Sequence, residues 1–155
     1  MKIAIASDHA GFKVKEEIKK YLTEKGYEFT DFGTFSEESM DYPDTIKLAA
    51  RAVSKKEADK GVVICSSGIG ASIVANKVKG IRAALCTDEY SAEYSRRHND
   101  ANVLVLGAKR NTIEEILKIL DIWFKTPFDG GRHQRRIEKI KEVEEEEIYE
   151  NQRKH

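Results

Sequence analysis

Cys65 closes an aliphatic run, "GVVIC", and is followed at once by Ser66, Ser67, Gly68, Ile69 and Gly70. A thiol placed before small residues and glycines can stand beside a row of backbone N–H groups at the start of a helix. Glycine permits close approach there, and the helix end carries partial positive charge. Such a row cradles an anion, and the same field favours a thiolate, which serves as base or nucleophile. The plain alternative is a buried strand-end cysteine beside a glycine turn. Gly68 and Gly70 lack the third glycine of a dinucleotide fingerprint, and no glycine stands four residues before a Gly-Lys-Ser/Thr triplet. A cysteine phosphatase needs an arginine where this chain has Ala71, and a receiver domain needs an aspartate where Cys65 stands.

Other groups able to do chemistry are scattered along the chain. Asp8 and His9 follow the run "KIAIAS", offering a carboxylate for a sugar hydroxyl and an imidazole for an anion; a turn or helix cap explains the pair equally well. "HND" (98–100) puts His98 and Asn99 after a helical stretch, where an imidazolium also gains from the helix dipole. "GGRHQRR" (130–136) places Arg132, His133, Arg135 and Arg136 at the start of the last helix, while Glu142 and Glu144 to Glu147 follow further along. That order opposes the helix dipole at both ends. Arg132 and Arg136, four apart, share a helix face and can clamp a phosphate, or else pair with Glu138. Tyr42 of "DYPD" reaches toward a site or packs on the helix-starting Pro43, and Cys86 reads as a packed thiol.

These residues must be positioned by strands and helices. Nearly continuous apolar runs at 2–7, 61–67, 81–86 and 102–107, with a weaker one at 27–33, read as strands buried on both faces. Helix-period stretches fill the intervals: Phe12 to Leu22 stopped by Gly26, a segment from Pro43 through Val53, one opening at the glycines after Cys65, and one over Tyr90 to His98. Another, "TIEEILKILDIWFK", opens with the capping-box spacing Thr112 to Glu115. The pattern predicts an α/β fold, a three-layer αβα sandwich of about five parallel strands, Rossmann-like with flavodoxin-like strand order. Residues 1–145 are expected to form one domain and 146–155 a charged tail, continuing the last helix or disordered. In that helix Ile137, Ile140, Val143 and Ile148 form a stripe too thin to pack fully on its own sheet.

The chain has 155 residues, 27 Lys plus Arg and 27 Asp plus Glu, so no overall field draws it to nucleic acid or to a membrane surface. Any anion site must be built locally, which argues for a small ligand. There is no signal-peptide pattern and no long apolar span, and two irregularly placed cysteines make neither a disulfide framework nor a metal cluster. Reduced thiols and a cytoplasmic location are the expectation.

Taken together, "SDHAGF", "DYPD", "ICSSGIGASIVANKVKGIRAALC", "SRRHNDANVLVLG" and "GGRHQRRI" resemble the B-type ribose-5-phosphate isomerases, in the family that includes the galactose-6-phosphate isomerase subunits. The resemblance spans about residues 1–145, with five motifs in order. It implies aldose–ketose isomerisation of ribose 5-phosphate and ribulose 5-phosphate, a step of the pentose phosphate pathway, through an enediolate and without metal or organic cofactor. By the same resemblance Cys65 is the base, the amides of Ser66, Ser67, Gly68, Ile69 and Gly70 receive the oxyanion, and the Ser67 hydroxyl assists proton movement. His98 opens the furanose ring, Asp8 and Asn99 hold sugar oxygens, and His9, Arg132 and Arg136 hold the phosphate. Members often carry threonine at the position of Ser67 and arginine at that of Lys109. A lysine lacks the bidentate fork, so Arg110 is the alternative contact from that loop. The resemblance also implies a homodimer or dimer of dimers with sites shared between subunits. A six-carbon sugar phosphate such as allose or galactose 6-phosphate remains an alternative substrate. A cysteine phosphocarrier subunit of a sugar phosphotransferase system is a rival reading of the cysteine loop alone, and a nucleotide- or flavin-binding module is a third.

Overall fold

Uninterrupted aliphatic runs bury both faces, and the chain uses them as parallel strands covered by helices. A computed structural model describes residues 1–154. It contains β1 (Lys2–Ser7), α1 (Phe12–Glu24), β2 (Glu28–Asp31), α2 (Tyr42–Ser54), β3 (Lys60–Cys65) and α3 (Ile69–Asn76). There follow β4 (Ala83–Leu85), α4 (Glu89–Arg97), β5 (Val103–Gly107), α5 (Ile113–Lys125) and α6 (Arg132–Arg153). All pairings are parallel, in the order β2-β1-β3-β5-β4. The expected three-layer sandwich is present. One face of the sheet packs Ile3, Ile5, Ile64, Leu104 and Leu106 against α1, α4 and α5, around Trp123; the other packs Ala4, Val63 and Val105 against α2 and α3.

The β2-β1-β3 half keeps flavodoxin-like order, and the last two strands exchange places at the far edge. β5 is buried at every residue, whereas β4 is half-buried throughout and only three residues long. The shorter, less apolar strand takes the edge. Reversing direction from β4 back to β5 requires α4 to cross on the α1 face if the crossover is right-handed, and α4 does pack there beside α5. β4 begins later than the apolar run because Arg82 is occupied elsewhere. Its amide donates to Asn102 Oδ1 at 2.8 Å, and its guanidinium donates to the carbonyls of Asn99 (3.0 Å) and Asp100 (2.8 Å). β2 ends at Asp31, whose Oδ1 accepts the Gly33 amide at 2.9 Å, capping the strand.

The capping boxes of α4 (Asp88 with Ser91) and α5 (Thr112 with Glu115) fix where those helices start. α4 starts at Glu89 and leaves His98 as its C-terminal cap, one residue earlier at each end than the spacing predicts. α6 is helical through Arg153, and His155 lies outside the described residues. Only His133 and Ile137 of α6 are buried; Ile140 and Val143 remain 47% and 58% exposed. Glu144 reaches back to accept the Gly80 amide at 3.0 Å, so the helix leans on the loop before β4 without covering its own stripe. Among the described residues, no helix is long and apolar enough to cross a membrane.

Candidate active site

In an open parallel sheet the natural crevice lies outside the carboxyl ends of two neighbouring strands whose connections leave in opposite directions. Here those strands are β1, which connects to β2 on one side, and β3, which connects toward the other. Their ends carry Asp8 and Cys65, and the backbone joins them: the Asp8 amide donates to the Ile64 carbonyl at 3.2 Å. Asp8 is 6% exposed, and its Oδ1 accepts the Gly11 amide at 3.0 Å, so one oxygen shapes the turn. Gly11 is required there, because a Cβ would lie 2.9 Å from the Ile64 carbonyl oxygen.

Cys65 is 4% exposed at the last position of β3. The loop after it is pinned to the loop after β5: Ala108 and Lys109 donate their amides to the Cys65 and Ser66 carbonyls, each at 2.9 Å. Gly68 then caps α3 with φ 82°, a left-handed conformation that favours glycine. The Ser67 hydroxyl accepts the Ile69 amide at 3.2 Å, leaving its own proton free to move. The amides of Gly70 and Ala71 have no acceptor within the helix, as at any helix start, and α3 begins four residues after Cys65. The start of a helix favours negative charge.

Two further groups close this side. His9 Nδ1 accepts the Met40 amide at 3.2 Å, which leaves Nε2 carrying the proton as a donor. Tyr42 starts α2 with its ring against Gly70: a Cβ there would lie 2.6 Å from Tyr42 Cζ and 2.9 Å from its Oη. Of the two roles the sequence allows for Tyr42, reaching toward a site or packing, its ring against Gly70 puts it next to the start of α3. Lys109 and Arg110 are exposed on the rim. The Asp88 carboxyl is held below the usual range by the Ser91 amide and hydroxyl, with Arg110 adding to the effect, which places Arg110 toward the start of α4. Cys86 is fully buried; burial pushes its thiol up to about 11, so it stays a packed thiol.

His98, Asn99, Arg132 and Arg136 lie elsewhere. α4 leaves the carboxyl end of β4 and returns the chain to the amino end of β5, so its C-terminal cap His98 sits at the opposite end of the sheet from Cys65. The two ends are separated by roughly 17–20 Å of strand. The bonds from Arg82, just before β4, to Asn99 and Asp100 confirm that location. Around His98 stand Tyr94, edge-on at 4.9 Å between ring centroids, and His133, stacked at 4.1 Å. Asp129 Oδ2 lies 4.0 Å from His98 Nε2 and 3.2 Å from Arg97 Nε. Arg132 and Arg136 are exposed on the first turns of α6 beside His133. Asp129 carried no motif of its own in the sequence, and His133 read as one more base in a basic turn.

The residues singled out in the sequence therefore fall into two separate groups. One holds Asp8, His9, Tyr42, Cys65 and the start of α3; the other holds His98, Asn99, Arg132 and Arg136. A concavity of about 880 Å³ between α6 and the β4 edge includes Asn99 but none of the first group. It is a trough left by the uncovered stripe of α6, away from the β1–β3 crevice.

Known proteins match along almost the whole chain. Ribose-5-phosphate isomerase B of Escherichia coli is 46% identical over 144 residues, 93% of this chain and 97% of that protein. The ribose-5-phosphate isomerase B structure from Clostridium thermocellum superposes with a TM-score of 0.93 at 52% identity, covering 94% of this chain and 99% of that one. That of Mycoplasma genitalium, with bound ribulose 5-phosphate, gives 0.90 at 44% identity over 94% and 97%. Residues 3–140 match the Ribose/Galactose Isomerase family, to which this chain belongs.

Proposed function

We propose that the protein interconverts ribose 5-phosphate and ribulose 5-phosphate, with Cys65 as the base. The observation that carries this reading is the placement of Cys65 at the β1–β3 crevice beside the open amides of α3, in a member of this family. The thiolate takes the C2 proton of the open-chain aldose, and the C–H electrons form the C1=C2 bond of an enediolate. Negative charge gathers on O1 where the helix amides point. The Ser67 hydroxyl passes a proton between O1 and O2, the C2 carbonyl forms, and Cys65 returns its proton to C1. Asp8 and Asn99 hold sugar hydroxyls, and His9 Nε2–H, Arg132 and Arg136 hold the phosphate, with Lys109 or Arg110 at its rim.

His98 opens the furanose. The O1 proton passes to the imidazole as the C1–O4 bond breaks, O1 becomes the carbonyl oxygen, and the proton is delivered to O4. Because His98, Asn99 and the two arginines face away from Cys65 in one chain, a complete site takes its second half from another copy. Supporting this, α3 exposes Ile69 and Ile73 at 57% and 56% beside the first half-site, and α6 leaves Ile140 and Val143 uncovered. Residues 1–145 act as one unit in this assembly, with the charged end of α6 running on beyond it.

Ketose formation from ribose 5-phosphate is the direct assay. Full-length protein is expected to be active after chelation, and Cys65→Ala to lose at least about 10³-fold in kcat while keeping its fold. Undiminished activity in Cys65→Ala, or a strict requirement for a divalent ion, overturns the mechanism. Parallel kcat/KM values for ribose 5-phosphate and allose 6-phosphate decide the length of the sugar.

A further inference from the structure

His133 is an odd choice for its position. It shares a helix face with Ile137, four residues on, and both are buried where α6 anchors to the domain. An aliphatic residue would serve that anchoring better. Instead an imidazole only 8% exposed stands in the first turn of a helix, flanked by Arg132 and Arg136. Burial lowers its pKa first, and the nearby His98, Arg132 and Arg136 lower it further, against a smaller opposing pull from Asp129. Gly130 and Gly131, at φ 70° and 58°, make the turn that aims it at α4.

What it meets there is the face of His98, with centroids 4.1 Å apart and planes within 10°. Tyr94 closes the other direction edge-on. Asp129 is steadied by the Arg97 side chain at 3.2 Å and by its own amide donating to the Arg97 carbonyl at 3.0 Å, and it faces His98 Nε2 at 4.0 Å. His98, Asp129 and His133 also bring three donor atoms within 4.8 Å, the count a transition metal needs. Yet Arg97 already engages that carboxylate, and Arg132 and Arg136 add positive charge, so a cation is disfavoured. A flat ring over a second imidazole suits a different task. It fixes the plane of His98 and stays in contact whether His98 is neutral or carries a proton, since a π face attracts a cation.

We propose that His133 is a positioning residue for His98, holding its ring by stacking so that one proton can be taken from O1 and delivered to O4 during ring opening. This rests on the reading of His98 given above. The stacking face, rather than the His133 nitrogens, is what matters. His133→Phe is therefore expected to preserve function and His133→Leu, of similar bulk but without a flat face, to lose it.

The test separates ring opening and closure from proton abstraction. Deuterium uptake at C1 of unconverted ribulose 5-phosphate in D₂O needs the enediolate step but no ring, whereas net conversion to cyclic ribose 5-phosphate needs both. His133→Leu is expected to lose net conversion by roughly 10- to 100-fold while deuterium uptake holds, so that their ratio rises. His98→Asn should show the same split more strongly, and His133→Phe should stay close to wild type. Parallel loss of uptake and conversion in His133→Leu, or no loss of either, overturns the proposal when His98→Asn does show the split. If His98→Asn shows no split, ring opening is not its task, and the proposal falls with that reading. Loss of uptake in Cys65→Ala reports separately on the base.

Discussion

The ammonium of Lys15, with a side chain wholly shielded from solvent, sits 2.6 Å from Asp31 Oδ2. The pair joins α1 to the end of β2, with Lys19 a second donor to the same oxygen at 3.0 Å and the rings of Phe12 and Phe35 at 5.4 and 5.2 Å from the Lys15 nitrogen. Asp31 also takes the Gly33 amide, and Gly33 in turn accepts the Ser7 amide at 2.7 Å beside the crevice. A buried ion pair thus steadies the chain leading from β2 toward Tyr42.

Burial alone would raise the Asp31 carboxyl; the hydrogen bonds from Lys15, Gly33 and Lys19 outweigh it and hold the group below its usual range. The folded pKa is therefore depressed, so the stability it brings is complete above the unfolded value, about 4, and drains as pH falls through the folded one. Urea unfolding is expected to shift to lower concentration below about pH 4 in the wild type and to depend less on pH in Asp31→Asn. At neutral pH that variant leaves the buried ammonium only the longer 3.4 Å contact to Glu16 as a charged partner and should lose about 3 kcal/mol. An unchanged midpoint at pH 7 contradicts this role.

Gly107 holds the two site loops together. A Cβ there would stand 2.5 Å from the Ser67 carbonyl oxygen and 2.7 Å from its carbon, both backbone atoms that cannot swing aside. Gly107→Ala is expected to push the Ser66–Gly68 loop away from β5, costing about 1–3 kcal/mol in stability and a larger share of kcat. Retention of full kcat with lowered stability would mean that the loop position is not critical to the α3 cradle.

Much of the fold was legible because buried parallel strands announce themselves: "VLVLG" and "KIAIAS" could only be interior. The edge order was less so. That β4 yields its place to β5 depends on which strand is shorter and carries an arginine at its start, a comparison between segments rather than a pattern within one. The cysteine loop and its glycines were readable for the same reason that they work, since close approach demands small residues. Tyr42 was readable only as one of two alternatives and Asp129 not at all, because their surroundings are Gly70 and His98, reached only through the turns of the folded chain. The ion pair of Lys15 with Asp31 was invisible for a similar reason: in the sequence Lys15 is one more charge on a polar helix.

Cys65 and His98 lie at opposite ends of one sheet. The most direct test of a site shared between copies is complementation between Cys65→Ala and His98→Asn chains, each nearly inactive alone. They are co-expressed with different tags, and the mixed assembly is assayed with ribose 5-phosphate. If each site draws Cys65 from one copy and His98 from another, half of randomly paired dimers are mixed and each carries one intact site of two. Activity should then return to about a quarter of wild type. If mixed assemblies form and remain as inactive as the single variants, both residues belong to one chain's site and the shared-site account is wrong.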